Sequence, residues 1–199
     1  MRIFFDSRIQ REIVYINAGE YHISTNNEII STLLGSCISV CLYDRITGIG
    51  GMNHFMLPEK TENINITHIE RSKLKHSNET MRYGVTAMGA LISEMQNHGV
   101  KRQNITAKVF GGGKVIAQSS SSNGVGWKNI QFVRSYLKVE RIPIEAENTG
   151  ELVARKVSFD TTDNSVSVKH IGMDSVAKTE KEYLEKINKP LAKAKIIYF

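Results

Sequence analysis

The sequence predicts a layered α/β sandwich of largely antiparallel strands flanked by two main helices. Its first half consists of short segments rich in β-branched and apolar residues, separated by Asn, Gly and Asp, which is typical of strands and turns. Two later segments carry apolar residues three and four positions apart, which is the spacing of an amphipathic helix. Strands combined with two helices that pack into a core favour stacked layers.

Five strands are predicted between residues 11 and 57. Each is a short run of β-branched or other apolar residues that is bounded by turn-forming residues. In chain order they are REIVYIN, EYHIS, EIISTLL, CISVCLYD and IGGMNHFML. The last two are joined through DRITG, which predicts a hairpin.

The second half of the chain predicts two helices and further strands. A helix is expected over 78–98, because apolar residues recur at helical spacing and Gly99 follows at once. A second helix is expected over 126–138, where the same spacing returns. The remaining extended segments are 105–113, 142–150 and 151–171, and the last of these is a hairpin that turns at 161–164.

The length of 199 residues predicts a single domain, residues 1–199. With 41% hydrophobic and 23% charged residues, the composition is that of an ordinary globular protein and excludes a disordered chain. The core is expected to span about 12–168. The C-terminal extension, 169–199, contains a predicted helix over 178–188 that stops before Pro190.

The N-terminus does not resemble a signal peptide, because charged residues interrupt every apolar run: Asp6, Arg8, Arg11 and Glu12. No later window reaches the ~18 uninterrupted apolar residues of a membrane span. We therefore expect a cytoplasmic protein without direct membrane insertion. Cys37 and Cys41 would lie roughly 13 Å apart on one face of a strand. That separation is beyond disulfide reach, so both are expected to be thiols.

The net charge of +6 is moderate, and the lysines are scattered except in the C-terminal segment. Nucleic-acid proteins concentrate positive charge in a patch with exposed aromatic residues, so nucleic acid is not an expected partner. A positive field of this size instead favours encounter with an acidic protein surface.

The segment FGGGKV does not form a phosphate-binding loop. The required spacing G-x-x-x-x-G-K-[ST] is absent, because Val115 follows Lys114 and no glycine lies five residues before Gly113. Three glycines at the end of a strand more often let the backbone approach another group closely. We expect Gly112 and Gly113 to border the position of a substrate.

Cys37 and His54 lie on the two strands of the predicted hairpin. If Arg45 and Ile46 form a two-residue loop, Cys37 faces His54 directly. If the loop has four residues, 45–48, the two side chains are diagonal neighbours on the same side of the sheet. Only an odd-length loop or a bulge would place them on opposite faces. Both even-length alternatives bring a thiol and an imidazole together.

Such a pair is suited to acyl-transfer chemistry. A thiol with an unperturbed pKa near ~8.5 is mostly protonated at neutral pH, and only its thiolate attacks carbon. An adjacent imidazole removes that proton and later returns it to a leaving group. Gly35 allows the backbone to bend before Cys37, so that amide N–H groups near Ser36 and Cys37 can stabilise an oxyanion.

A third group is needed to orient the imidazole of His54. Ser31 and Thr32 both offer a hydroxyl that could accept a hydrogen bond from the other ring nitrogen. Cys41 lacks both a preceding glycine and a histidine partner, and is predicted to be a core residue.

An ordered series of motifs resembles the CheD family of chemoreceptor glutamine deamidases. The series is LGSC before an apolar strand, GGMNHFMLP, RYG at the start of a helix, AKVFGGG, and AENTG before the strand that contains Arg155. The resemblance extends from about Glu12 to about Val168. It implies a three-layer α/β fold similar to that of bacterial toxin deamidases.

The resemblance also assigns the site residues. Cys37 matches the family nucleophile and His54 matches the family base. Related proteins carry threonine six residues before the cysteine, and Ser31 stands at that position here. Ser31 is therefore the expected third member. Thr32, the alternative, would point to the opposite face unless the strand bulges.

The implied reaction hydrolyses selected glutamine side chains of methyl-accepting chemotaxis receptors to glutamate and releases ammonia. It needs neither a metal nor an organic cofactor. The resemblance further implies association with a CheC-type phosphatase. A non-catalytic adaptor that binds receptor or this phosphatase is the alternative function, although an adaptor has no physical need for an intact Cys37 and His54.

Overall fold

The computed structural model of the chain describes residues 1–57, 82–114 and 124–172. Within these ranges it contains ten strands, two α-helices and a short 3₁₀ helix, Arg102–Asn104. The predicted helix over 178–188 lies outside them. In chain order the elements are β1 (Arg2–Asp6), β2 (Arg11–Tyr15), β3 (Glu20–Ser24), β4 (Ile29–Leu34), β5 (Ile38–Asp44), β6 (Ile49–His54), α1 (Gly84–Asn97), β7 (Thr106–Gly111), α2 (Val125–Val139), β8 (Ile144–Thr149), β9 (Ala154–Asp160) and β10 (Val166–Ile171).

Most of the predicted elements are confirmed. Strands β2 to β6 lie within the five predicted segments, α2 lies within one residue of its prediction, and β9 and β10 form the predicted hairpin. Strand β1 was not predicted. Its sequence, RIFFD, lacks the alternation of a half-buried strand, because four of its five residues are exposed at the edge of a sheet.

The strands form two five-stranded sheets. The first sheet has the order β1-β2-β4-β9-β10, and the second has the order β3-β6-β5-β7-β8. Each sheet contains one parallel pair, β2 with β4 and β7 with β8. The other pairs are antiparallel, which confirms the largely antiparallel arrangement.

The second sheet lies between the first sheet and the two helices. On one face of β5, Val40 packs in an apolar cluster with residues of both helices, including Leu91 of α1. On the opposite face, Cys41 packs with Phe159 of the first sheet. This alternation along β5 buries both faces of the strand. The predicted layered α/β sandwich is thus confirmed, with both helices on the same side.

The chain crosses from the first sheet to the second between β4 and β5. Residues 35 and 36 form a bend, as the glycine at position 35 predicts. Cys37 follows this bend directly and packs in the cluster between the sheets. Among the described helices, none has the length and apolar character that crossing a bilayer requires.

Candidate active site

The register of the β5–β6 hairpin decides between the two loop lengths. Cys41 pairs with Met52 and Asp44 pairs with Ile49, which leaves the four residues 45–48 in the loop. The four-residue alternative is therefore correct and the two-residue alternative is excluded. Since an isolated bridge continues the same register at Ile38 and Phe55, Cys37 and His54 are diagonal neighbours on the side that faces the first sheet.

Side chains replace the regular ladder of hydrogen bonds next to His54. The Val40 N–H donates to Oδ1 of Asn53 at 3.0 Å, and the Ser39 hydroxyl donates to the Asn53 carbonyl oxygen at 2.6 Å. The Asn53 amide in turn points at Met88 of α1, with Nδ2 3.2 Å from Sδ. The two strands are thus held in register here by buried polar side chains.

Thr32 orients the imidazole of His54. Its Oγ1 lies 2.8 Å from Nδ1 of His54 and donates to the carbonyl oxygen of Ile16 at 2.7 Å. A hydroxyl has one hydrogen, so Oγ1 must accept from Nδ1–H. This arrangement fixes the tautomer, with the proton on Nδ1 and an unprotonated Nε2.

Nε2 of His54 is buried and has no hydrogen-bond partner among the described residues. Burial lowers the pKa of the imidazole from its usual 6.5 to about 4, against a small opposing effect of Glu20. The ring is therefore neutral at neutral pH. A neutral imidazole with a free Nε2 lone pair is the form that removes a proton from a nucleophile.

The geometry does not follow the prediction for Ser31. Its hydroxyl donates to the Val157 carbonyl oxygen at 2.9 Å and lies 3.0 Å from Oγ of Ser158, both on the neighbouring strand β9. Ser31 and Thr32 point to opposite faces of β4, and only Thr32 reaches the histidine. The prediction of Ser31 at the imidazole, which followed the family's six-residue spacing to the cysteine, is therefore wrong: Thr32 lies on the face toward His54, and the chain bends at residues 35 and 36 before it reaches Cys37.

Glycines hold the segment that contains Cys37. The Gly112 N–H donates to the Cys37 carbonyl oxygen, and the Gly113 N–H donates to the Gly35 carbonyl oxygen, both at 2.7 Å. A Cβ on Gly111 would lie 2.2 Å from the Cys37 oxygen, and the φ of Gly111 is +108°. No other residue type fits this approach without strain. Cys37 is 6% exposed.

These bonds change the interpretation of the glycine run. The N–H groups of Gly112 and Gly113 donate to carbonyl oxygens of the chain itself, so they hold the segment that contains Cys37 directly. Their contact with a substrate stays a prediction. The assignment of oxyanion donors near Gly35 and Ser36 also stays a prediction.

Asn129 of α2 is a buried residue that the sequence analysis missed. Its Nδ2 donates to the Ser36 carbonyl oxygen at 3.0 Å and to the Met56 carbonyl oxygen at 2.8 Å. One side chain thereby joins the residue before Cys37 to the segment just after His54. Its Oδ1 is buried without a partner among the described residues. In the sequence it looks like a surface residue of an amphipathic helix, so no local signal marked it.

A second helix contact fixes this region. A Cβ on Gly126 would lie 2.5 Å from the Gly112 oxygen, so the first turn of α2 packs closely against the glycines at 111–113. On the other side, the buried Arg155 donates to Oδ1 of Asn148 at 2.5 Å and to the Gly150 carbonyl oxygen at 2.8 Å. Burial lowers the pKa of Arg155. These contacts brace the turn that lies against Gly113.

Curated relatives resemble this chain over most of its length. A protein of Janthinobacterium sp. (strain Marseille) is 39% identical over 188 residues, which cover 93% of this chain and 88% of the relative. A protein of Bordetella avium (strain 197N) is 41% identical over 169 residues, which cover 84% of this chain and 70% of the relative. Both are named "Probable chemoreceptor glutamine deamidase CheD".

The same name belongs to a relative from Herminiimonas arsenicoxydans, which is 37% identical over 93% of this chain and 88% of its own length. Residues 56–170 match the family described as "CheD chemotactic sensory transduction". The motif-based resemblance is thus confirmed by independent comparisons. The chain belongs to the CheD family.

Proposed function

We propose that this chain is a protein-glutamine deamidase that converts selected glutamine side chains of methyl-accepting chemotaxis receptors to glutamate. The names of its relatives support the substrate and the reaction. The observation that carries the mechanism is the chain of hydrogen bonds from His54 through Thr32 to the Ile16 carbonyl oxygen. It holds an unprotonated Nε2 on the side of the sheet that carries Cys37.

In the first half of the reaction, Nε2 of His54 takes the thiol proton as the Cys37 sulfur attacks the carboxamide carbon. A C–S bond forms and the carbonyl electron pair moves to oxygen. When this tetrahedral intermediate collapses, the C–N bond breaks and the proton on Nε2 passes to the departing nitrogen. Ammonia leaves and a thioester remains on Cys37.

In the second half, a water molecule gives one proton to Nε2 of His54 and adds to the thioester carbon. The C–S bond then breaks, and the proton returns to the sulfur of Cys37. The product is a glutamate side chain, so amide and water become carboxylate and ammonium. The Nδ1–H of His54 keeps donating to Oγ1 of Thr32 throughout, which stabilises the transient imidazolium.

The exchange of a neutral amide for a carboxylate changes the charge of the receptor. We infer that this change adjusts receptor signalling during chemotactic adaptation, since added negative charge shifts the balance between packed states of a helical protein. A CheC-type phosphatase is the partner that we propose for its regulation. From these proposed partners we infer that the protein acts in the cytoplasm.

The test is mass spectrometry of a receptor cytoplasmic fragment incubated with this protein in water enriched in ¹⁸O. Each converted glutamine gains about three daltons, because a heavy oxygen replaces the amide nitrogen. A matched incubation with Cys37→Ala controls for spontaneous deamidation. Equal incorporation with both proteins would refute the assignment of the nucleophile.

The adaptor alternative gives a different result in the same experiment. An adaptor binds the receptor fragment but leaves its mass unchanged with either protein. Co-sedimentation of the fragment without any gain in mass would therefore favour the adaptor over the deamidase.

A further inference from the structure

Strand β1 presents apolar side chains to solvent at the edge of the first sheet. Ile3, Phe4 and Phe5 are 53%, 48% and 58% exposed. They are consecutive, so both faces of the strand are apolar. Within the described part of the chain, β1 pairs only with β2, which leaves its other edge open. An exposed, apolar edge strand is a template for pairing with another strand.

The other three edge strands lack this character. β8 carries Glu145 and Glu147, and β10 carries Lys169, within the strand. The third, β3, has its apolar residues Tyr21 and Ile23 packed against the helical core cluster. Charges and coverage are the usual means by which an edge avoids pairing. In β1 the charged residues stand only at the two ends, Arg2 and Asp6.

We propose that β1 pairs antiparallel with β1 of a second copy of this chain, about a two-fold axis at Phe4. This register places Phe4 opposite Phe4 of the second copy. It places Ile3 opposite Phe5, so that both faces join apolar side chains. The two first sheets then form one continuous ten-stranded sheet, counted from the five strands of each.

The charges at the ends of β1 favour a second copy over a foreign strand. In the antiparallel register Arg2 lies opposite Asp6 of the other copy, and the two-fold axis makes this pair twice. Parallel pairing would instead place like charges together. Asp6 already accepts hydrogen bonds from Arg8, with Nη2 2.9 Å from Oδ2, and this lowers its pKa to about 2. The carboxylate is therefore ionised and has acceptor sites left for Arg2.

The proposed dimer is closed, because each copy uses its only open apolar edge among the described strands. It also leaves the candidate active site uncovered. Cys37 follows β4, and β2 separates β4 from β1 in the first sheet. Deamidation is therefore expected to be unchanged in variants that prevent pairing.

Cysteine cross-linking tests the register. On a two-fold axis, only the central residue faces itself, at a Cα separation of about 4.5–5.5 Å that a disulfide spans. Under mild oxidation Phe4→Cys is expected to form a covalent dimer. Ile3→Cys is the matched control, because it faces residue 5 and not itself. The unmodified chain, with Cys37 and Cys41 buried, controls for the native thiols. Equal cross-linking of both variants would overturn the register.

Charge reversal tests whether the partner of β1 is a second copy of this chain. By light scattering, the purified chain is expected to reach twice its monomer mass. Arg2→Asp or Asp6→Arg alone should raise the dissociation constant roughly tenfold or more, and the double variant should restore it. A chain that stays monomeric up to about 100 μM overturns the proposal. So does a double variant that dimerises no better than the single ones, or growth beyond the dimer.

Discussion

The two ends of the β5–β6 hairpin solve the placement of polar groups differently. At the turn end, the carboxylate of Glu145 has several partners. It accepts hydrogen bonds from Tyr43 and Arg45, and Nζ of Lys108 lies 3.4 Å from it. At the open end, the strands are joined through the side chain of Asn53, and the imidazole of His54 keeps one nitrogen without a partner among the described residues.

This difference separates polar groups that stabilise from polar groups that are available for chemistry. A buried nitrogen without a hydrogen bond costs stability, of the order of 1–3 kcal/mol. At the open end, the unpartnered Nε2 of His54 lowers the stability by this amount, while Thr32 holds the ring in one tautomer. An unpartnered polar group that is rigidly oriented is typical of a functional site. We therefore expect the turn end to have a structural role.

The largest contrast is expected between the two thiols of β5. Burial raises the pKa of Cys41, which lies toward the turn end and is fully buried. Cys37 lies at the open end, on the same side of the sheet as His54, the proposed base. In native protein we expect iodoacetamide to modify Cys37 on the order of 10³-fold faster than Cys41. Peptide mapping by mass spectrometry measures both rates, and similar rates would contradict the proposed site.

The buried imidazole predicts a pH dependence of stability. The pKa of His54 is about 4 in the folded chain and near 6.5 when unfolded, so the unfolded state binds more protons between these values. The contribution of the neutral His54 to the free energy of unfolding is therefore fully present above about pH 6.5. It is lost as the pH drops toward 4, which lowers the free energy of unfolding by about 3 kcal/mol. Urea unfolding across this range measures the slope.

His54→Gln is the control for this pH dependence. Its free energy of unfolding should lose most of the slope between about pH 4 and 6.5, because glutamine does not titrate. The same slope in both proteins would assign the effect to other groups.

Adjacent hydroxyls on β4 give the next contrast. Thr32→Val keeps the shape of the side chain but removes its hydrogen bonds to His54 and Ile16, so kcat for deamidation should fall about 10²-fold with little change in KM. Ser31→Ala should cost about 1 kcal/mol of stability, because it removes a buried hydrogen bond, and leave kcat within about threefold. The opposite ranking of the two variants in a steady-state assay would reinstate Ser31.

The Ser31 and Thr32 pair marks how far the sequence could predict this molecule. Apolar periodicity and turn residues were sufficient for nine of the ten described strands, both helices and the hairpin that brings Cys37 and His54 to one side. These features depend on the local spacing of residue types, which can be read from a single sequence. The hydroxyl depends on how the chain bends between two sheets at residues 35 and 36, and spacing alone does not determine that bend.

The sequence did not predict the role of Asn129 or the strand β1, for two other reasons. An asparagine in an amphipathic helix looks like a surface residue unless its contacts with distant carbonyl groups are known, and these contacts span 93 and 73 residues of sequence. Strand β1 has no buried face to produce a period. Long-range contacts and exposed edges leave little trace in a local pattern.

Asn129→Asp tests whether the open end is held together from α2. The substitution keeps the shape but replaces two N–H donors with a carboxylate that faces the carbonyl oxygens of Ser36 and Met56. We expect kcat per folded molecule to fall about tenfold with KM unchanged, because Asn129 bonds the residue before Cys37 and the segment after His54. Asn53→Asp, on the same strand as the base, is less suitable as a control because it alters the ladder itself.

Two readouts separate positioning by Asn129 from a general loss of fold. Circular dichroism and the melting temperature report the folded fraction, and the pH dependence of Cys37 alkylation reports its coupling to His54. A variant whose kcat per folded molecule and alkylation profile match those of the unmodified chain would show that Asn129 serves packing alone.

The smallest effect is expected at the turn end. Glu145→Gln removes the charge that pairs with Arg45 and Lys108, whose ion pairs lie near the surface. Exposed ion pairs contribute about 0–1 kcal/mol each, so loss of the two pairs should change the free energy of unfolding by no more than about 2 kcal/mol. Because none of the contacts given for the described residues at this end involves Thr32, His54 or Cys37, kcat should stay the same within error. A large loss of activity in this variant would mean that the two ends of the hairpin are coupled through β5, and the separation of stabilising from chemically available groups would fail.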